Sequence, residues 1–150
     1  MGLCYHVLPM KRLAVAACLV LVACNGTKDE VRSLSTAVDA YRKAENDKKP
    51  DLADAIDKVP CTDAEVCTAK AACKKSADET AKGLRLQKDL AKRVEDVKAG
   101  KILPGSPEAL KISLDMAEGD QLLADGIKDL DECDNQLIKL RVKYNIPSER

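Results

Sequence analysis

The chain has 150 residues, in which 25 Lys and Arg balance 25 Asp and Glu, with seven Cys, three Tyr, no Phe and no Trp. The charge balance excludes a nucleic-acid binder that works through a basic surface excess. The only histidine, His6, stands near the start, so the rest of the chain has no imidazole to act as a general base. Alternating β-branched and aromatic residues, the mark of strands, are almost absent, and helix formers dominate. Composition therefore predicts an all-α protein.

Lys11 and Arg12 precede an uncharged run, Leu13 to Ala23, that ends at Cys24. Eleven apolar residues match the core of a secretory signal and fall short of the ~20 that a membrane-spanning helix needs. The end of the run, Leu21-Val22-Ala23-Cys24, resembles the lipobox of bacterial lipoproteins. The resemblance covers about one sixth of the chain and is silent on the rest. It implies that the thiol of Cys24 takes diacylglycerol, that the bond before it is cut, and that residues 1–23 are a signal peptide. Residues 24–150 then form a single lipid-anchored domain. Met10 opens a signal of normal proportions, so residues 1–9 are expected to precede the true start. Met1-Gly2 is not a myristoylation signal, because His6 stands where that pattern wants Ser or Thr. Asn25 is not the aspartate that retains enteric lipoproteins in the inner membrane, which points to the outer membrane.

Thr27-Lys28-Asp29-Glu30 has the form of a capping box and predicts a helix start, with Val31, Leu34, Val38 and Tyr41 as one apolar face up to about Asn46. Asn46 to Pro50 interrupts it, and Leu52, Ala55, Ile56 and Val59 suggest a short second piece closed by Pro60. The two are read as one bent or broken arm. A second box, Thr62-Asp63-Ala64-Glu65, opens a helix over about 63–99, closed by Gly100. Its main stripe is Val66, Ala69, Cys73, Ala77, Thr80, Leu84, Gln87, Ala91 and Val94; Leu86, Leu90 and Val97 make a second face.

Ser106 as cap and Pro107 in the first turn predict a third helix over about 107–144, ended by Asn145 and Pro147. Ile112, Met116, Gly119, Leu123, Gly126, Leu130, Cys133, Leu137, Leu140 and Tyr144 form its stripe. Gly119 and Gly126 mark close helix approach, with a partner groove as the alternative reading, and Tyr144 belongs to the core rather than serving as a binding anchor. A short turn at 100–106 folds the last two helices into an antiparallel hairpin, against which the arm packs. The expected architecture is an elongated antiparallel three-helix bundle, stapled by disulfides.

Cys4 and Cys18 leave with the signal and Cys24 carries lipid, so Cys61, Cys67, Cys73 and Cys133 remain. An even remainder in an oxidising compartment reads as two disulfides; without a C-x-x-C pair, a zinc site is the weaker reading. Facing positions across the expected hairpin have numbers summing to about 206 when the helices end at 99 and begin at 107. Cys73 and Cys133 satisfy that register, as do Val66 with Leu140, Leu84 with Leu122, Leu90 with Met116 and Val94 with Ile112. Cys67 and Cys73 on one helix are about 9 Å apart, beyond the ~7 Å reach of a bridge. Cys61 and Cys73 are farther still. The pairing that remains is Cys73–Cys133 with Cys61–Cys67.

No catalytic motif appears: S-x-x-K, G-x-x-x-x-G-K and G-x-G-x-x-G are all missing. Acidic pairs such as Asp115 with Glu118, or Asp129 with Asp131 and Glu132, alternate with lysines and read as a solvated face rather than as acid–base or metal groups. No enzyme and no cofactor is expected. The favoured function is a non-catalytic helical interaction or structural module of the cell envelope, bound to membrane lipid through Cys24 and to an envelope protein partner. The alternative is a small helical periplasmic chaperone or stress sensor, although the L-T-x-x-Q signature of such chaperones is missing.

Overall fold

The computed structural model describes residues 11–147, with side chains from residue 26 onward. Every regular element among them is helical: α1 Lys11–Lys43, α2 Lys49–Asp57, α3 Ala64–Lys98 and α4 Pro107–Tyr144. There are four helices where three were expected. The bent or broken arm is two helices, because the chain turns at 44–48, where the Glu45 carbonyl accepts from both Lys48 N (3.0 Å) and Lys49 N (3.2 Å). Pro50, in the first turn of α2, has no N–H to lose there.

Caps explain the boundaries and correct two expectations. No helix starts at Thr27, since α1 already runs through it from Lys11 and the amides it would cap lie inside the helix. Glu30 turns outward instead. Its carboxylate accepts from Thr62 N at 2.9 Å, Thr62 Oγ1 at 2.6 Å and Asp63 N at 3.4 Å. With the Thr62 hydroxyl so engaged, the cap of α3 moves one residue on to Asp63, whose Oδ1 accepts from Glu65 N at 2.8 Å and Val66 N at 3.4 Å. Glu65, expected to close the box, meets Lys143 of α4 at 2.7 Å. At the other ends the local signals hold. Ser106 Oγ accepts from Ala109 N, Pro107 begins α4, and Asn145 closes it with φ 50°. Gly100 and Gly105 take the positive φ values, 72° and 80°, that the α3–α4 turn requires.

Side-chain pairs set the helix directions. Glu30 meets Thr62 and the Tyr41 hydroxyl donates to the Ala77 carbonyl at 3.4 Å, so α1 and α3 run in the same sense. Arg85 donates to the Pro50 carbonyl at 3.3 Å and Lys70 faces Asp57 at 3.9 Å, so α2 runs against α3. Glu65 with Lys143, Cys73 with Cys133, Ser76 with Gly126 and Arg93 with Asp115 set α4 against α3 along its whole length.

The main core joins Val31, Leu34, Val38 and Tyr41 of α1 and Ala53 and Ile56 of α2 to Val66, Ala69, Cys73 and Ala77 of α3 and Cys133, Leu137 and Leu140 of α4. A smaller cluster, Leu90, Ile102 and Ile112 with Leu86, Val94 and Val97, closes the far end beside the α3–α4 turn. The stripe expected on α3 therefore changes line partway. Gln87 and Ala91 are exposed and Leu84 is half-buried, because α1 stops at Lys43 and leaves only α4 to cover the second half of α3. Met116, expected on the buried stripe of α4, is 50% exposed for the same reason.

Of the glycines, Gly126 has the tightest surroundings. A Cβ there would meet Thr80 Oγ1, with Thr80 N at 3.0 Å and the Ser76 carbonyl at 3.1 Å, and the Ser76 hydroxyl donates to the Gly126 carbonyl at 2.7 Å. Gly119 is roomier, with Leu86 Cδ2 at 3.6 Å from the same hypothetical atom.

Candidate functional site

The segment expected to be a signal, and Cys24, fall where side chains are not described, and residues 1–10 lie outside the described residues altogether. The backbone carries Cys24 inside α1, six residues before Glu30. Cleavage before Cys24 would remove residues 11–23 of that helix. Among the described residues no helix is long and apolar enough to cross a membrane.

The other cysteines form two pairs. Cys61 and Cys67 have Cα atoms 5.2 Å apart, and Cys73 and Cys133 have theirs 4.5 Å apart. The first pair clips the segment before α3 to its opening turns, beside the Glu30 clamp. The second joins α3 to α4 inside the main core, where Cys73 and Cys133 are both buried. All four thiols are used, and among the described residues no group of three or more His, Cys, Asp and Glu side chains is placed to hold a metal ion.

The carboxylates singled out from sequence are not brought together as acid–base pairs. Asp115 meets Arg93 of α3 at 2.5 Å, with both side chains mostly buried, and Asp129 meets Lys75 of α3 at 3.0 Å. These two are bridges between helices rather than parts of a solvated face. Helical periodicity shows which side of α4 they occupy, but a cation on another helix is invisible to it. Glu118 and Asp131 are exposed, as expected, and Glu132 accepts from Gln136 at 2.6 Å.

Two polar clusters were not found from sequence. At one end of the core, Arg141 donates to Asp39 Oδ2 at 2.7 Å and to the buried Ser35 hydroxyl at 3.1 Å. Arg42 pairs with Asp134 and reaches Cys133 Sγ at 3.9 Å; burial lowers the pKa of that guanidinium. Between α3 and α4, the Glu79 carboxyl, with Oε2 buried, lies beside Asp129. Burial, then the neighbouring Asp129, raises the Glu79 carboxyl above its ordinary range, while Lys75 holds Asp129 below its own. A proton held on Glu79 would bridge the two carboxylates. The signal for this cluster was the register itself: Glu79, Lys75 and Asp129 converge once α3 and α4 are set side by side.

Two openings flank the exposed part of α3, and both are shallow. One, of about 580 Å³, lies between the α1–α2 turn and α3, lined by Asn46, Asp47, Pro50, Asp51, Arg85 and Lys88 among others. A second, of about 340 Å³, is floored by Leu90, Ala91, Val94 and Met116 and rimmed by Gln87, Glu95 and Asp120. Neither brings a nucleophile to a base. The chain matches no protein-family model, no curated protein and no solved structure.

Proposed function

We propose that this chain is the precursor of an exported bacterial lipoprotein, cut before Cys24, anchored by lipid on that thiol, and serving as a non-catalytic interaction or structural module of the cell envelope. The observation that carries the reading is the order Lys11-Arg12, eleven uncharged residues, then Leu21-Val22-Ala23-Cys24. Paired Cys61–Cys67 and Cys73–Cys133 support it, since bridges of this kind persist in oxidising compartments. The envelope partner is a protein, and the membrane is the outer one by the residue at Asn25.

In this reading the helices make an elongated bundle whose long α3–α4 hairpin projects from the anchor. Cys24 stands six helical residues before Glu30, about 9 Å at 1.5 Å per residue. The hairpin adds about 50 Å beyond the Glu30 clamp. The anchor is thus a short helical stalk rather than the two-residue tether that a cap at Thr27 implied.

The test is growth with a clickable fatty-acid analogue. The wild-type chain should take up label and the Cys24→Ala chain should take up none and remain uncut. Equal labelling of both removes the lipoprotein reading.

A further inference from the structure

The groove between α3 and α4 is filled over only half its length. Gln87 and Ala91 lie 18 residues, five helical turns, after Ala69 and Cys73, and so continue the same line of α3. Lower down, that line is packed by Val31, Leu34, Val38 and Tyr41 of α1. Higher up, α1 has ended at Lys43, its turn lies against Leu84, Arg85, Gln87 and Lys88, and the groove beyond is open. Its floor is apolar and its polar rim includes two carboxylates, Glu95 and Asp120. Asp120 has no ion-pair partner among the described residues, while Glu95 meets only the exposed Lys98, at 2.7 Å.

Residues 1–10 and 148–150 do not reach it. Residues 148–150 leave beside the Lys143–Glu65 pair, about 39 Å along α3 from Ala91, whereas three residues reach ~10 Å. Residues 1–10 reach ~35 Å at most, and the groove lies beyond the far end of α1, itself about 50 Å long. We propose that this groove docks an amphipathic helix of the envelope partner, two to three turns long, which seats its apolar face on Ala91, Val94 and Met116 and presents Lys or Arg to Glu95 and Asp120. The proposal rests on the reading of this chain as an interaction module and extends the α1 packing by a helix supplied from outside.

The test uses the full chain in nonionic detergent and two synthetic 14-residue helical peptides with the same leucine stripe, one flanked by Lys and one by Glu. Fluorescence anisotropy should show the Lys peptide binding at least tenfold more tightly than the Glu peptide. Ala91→Trp should abolish binding, and Glu95→Lys with Asp120→Lys should reverse the preference, both with unchanged helical circular dichroism. Binding of neither peptide, equal binding of both, or full binding by Ala91→Trp overturns the proposal. So does a dimer of the chain that Ala91→Trp dissolves, which would make a second copy the occupant. Fatty-acid labelling of the same variants keeps the questions apart, because a groove that fails leaves labelling at Cys24 intact, and a chain that takes up no label can still bind.

Discussion

Glu79 shows how one residue acquires a property that its own helix does not dictate. On α3 alone it is one of many acids spaced among lysines, and periodicity assigns it to solvent. Packed against α4 it faces Asp129, with Lys75 beside both and Asp125 nearby. Because the folded carboxyl titrates above its unfolded value, its contribution to stability is fully present below the unfolded pKa and is lost as pH rises through the folded one. Glu79→Gln keeps a donor for Asp129 and removes the charge. Thermal unfolding should therefore show the variant level with wild type near pH 4 and more stable at pH 7, a gap that opens as pH rises. A constant gap between those pH values would mean that Glu79 and Asp129 do not share a proton. The sequence reading missed the pair because it requires α3 and α4 to be aligned before any side chain is considered.

At the scale of elements, legibility tracked how local each signal is. Ser106 with Pro107 and Asn145 with Pro147 bound α4 from within a few residues, and the stripe Val31, Leu34, Val38 and Tyr41 named the buried face of α1 correctly. The box at Thr62 failed by one residue because Glu30, more than thirty positions away, takes the Thr62 hydroxyl. The arm was legible as bent or broken at Asn46 to Pro50, but that stretch does not state the angle, and a chain reversal there puts α2 alongside α3. Gly126 and Gly119 both lie where α4 comes close to α3, the Gly119 carbonyl 3.1 Å from where a Cβ of Gly83 would stand, but only at Gly126 would an added methyl meet backbone. Gly126→Ala pushes a methyl against the Thr80 and Ser76 backbone, which cannot rotate away, and should cost about 1–3 kcal/mol by chemical denaturation. Gly119→Ala meets only ordinary contact with Leu86 and should be neutral or gain about 0.5–1 kcal/mol from helix propensity. Equal losses at both positions would contradict the spacing of α3 and α4.

For the whole molecule, the pairing of Cys73 with Cys133 joins two helices across a loop of 60 residues, while Cys61 with Cys67 closes one of six. The longer loop restricts the unfolded chain more, by about 4 kcal/mol against about 2 for the shorter in the chain-entropy account. Cys133→Ser should release one titratable thiol, that of Cys73, and lower the melting temperature more than Cys61→Ser does. A larger fall for Cys61→Ser would place the main staple at the Glu30 clamp instead. The register that aligns these cysteines was readable from caps and turn length, because both ends of the α3–α4 turn are marked locally.

The central claim is that Cys24 becomes a lipid-bearing N-terminus, and mass spectrometry of the native protein's N-terminal tryptic peptide tests it most directly. The account predicts a peptide that begins at Cys24, ends at Lys28 and carries diacylglycerol in thioether linkage on the cysteine. An unmodified peptide running unbroken from Leu13 through Ala23 and Cys24 to Lys28, as the dominant species in exported protein, would contradict it.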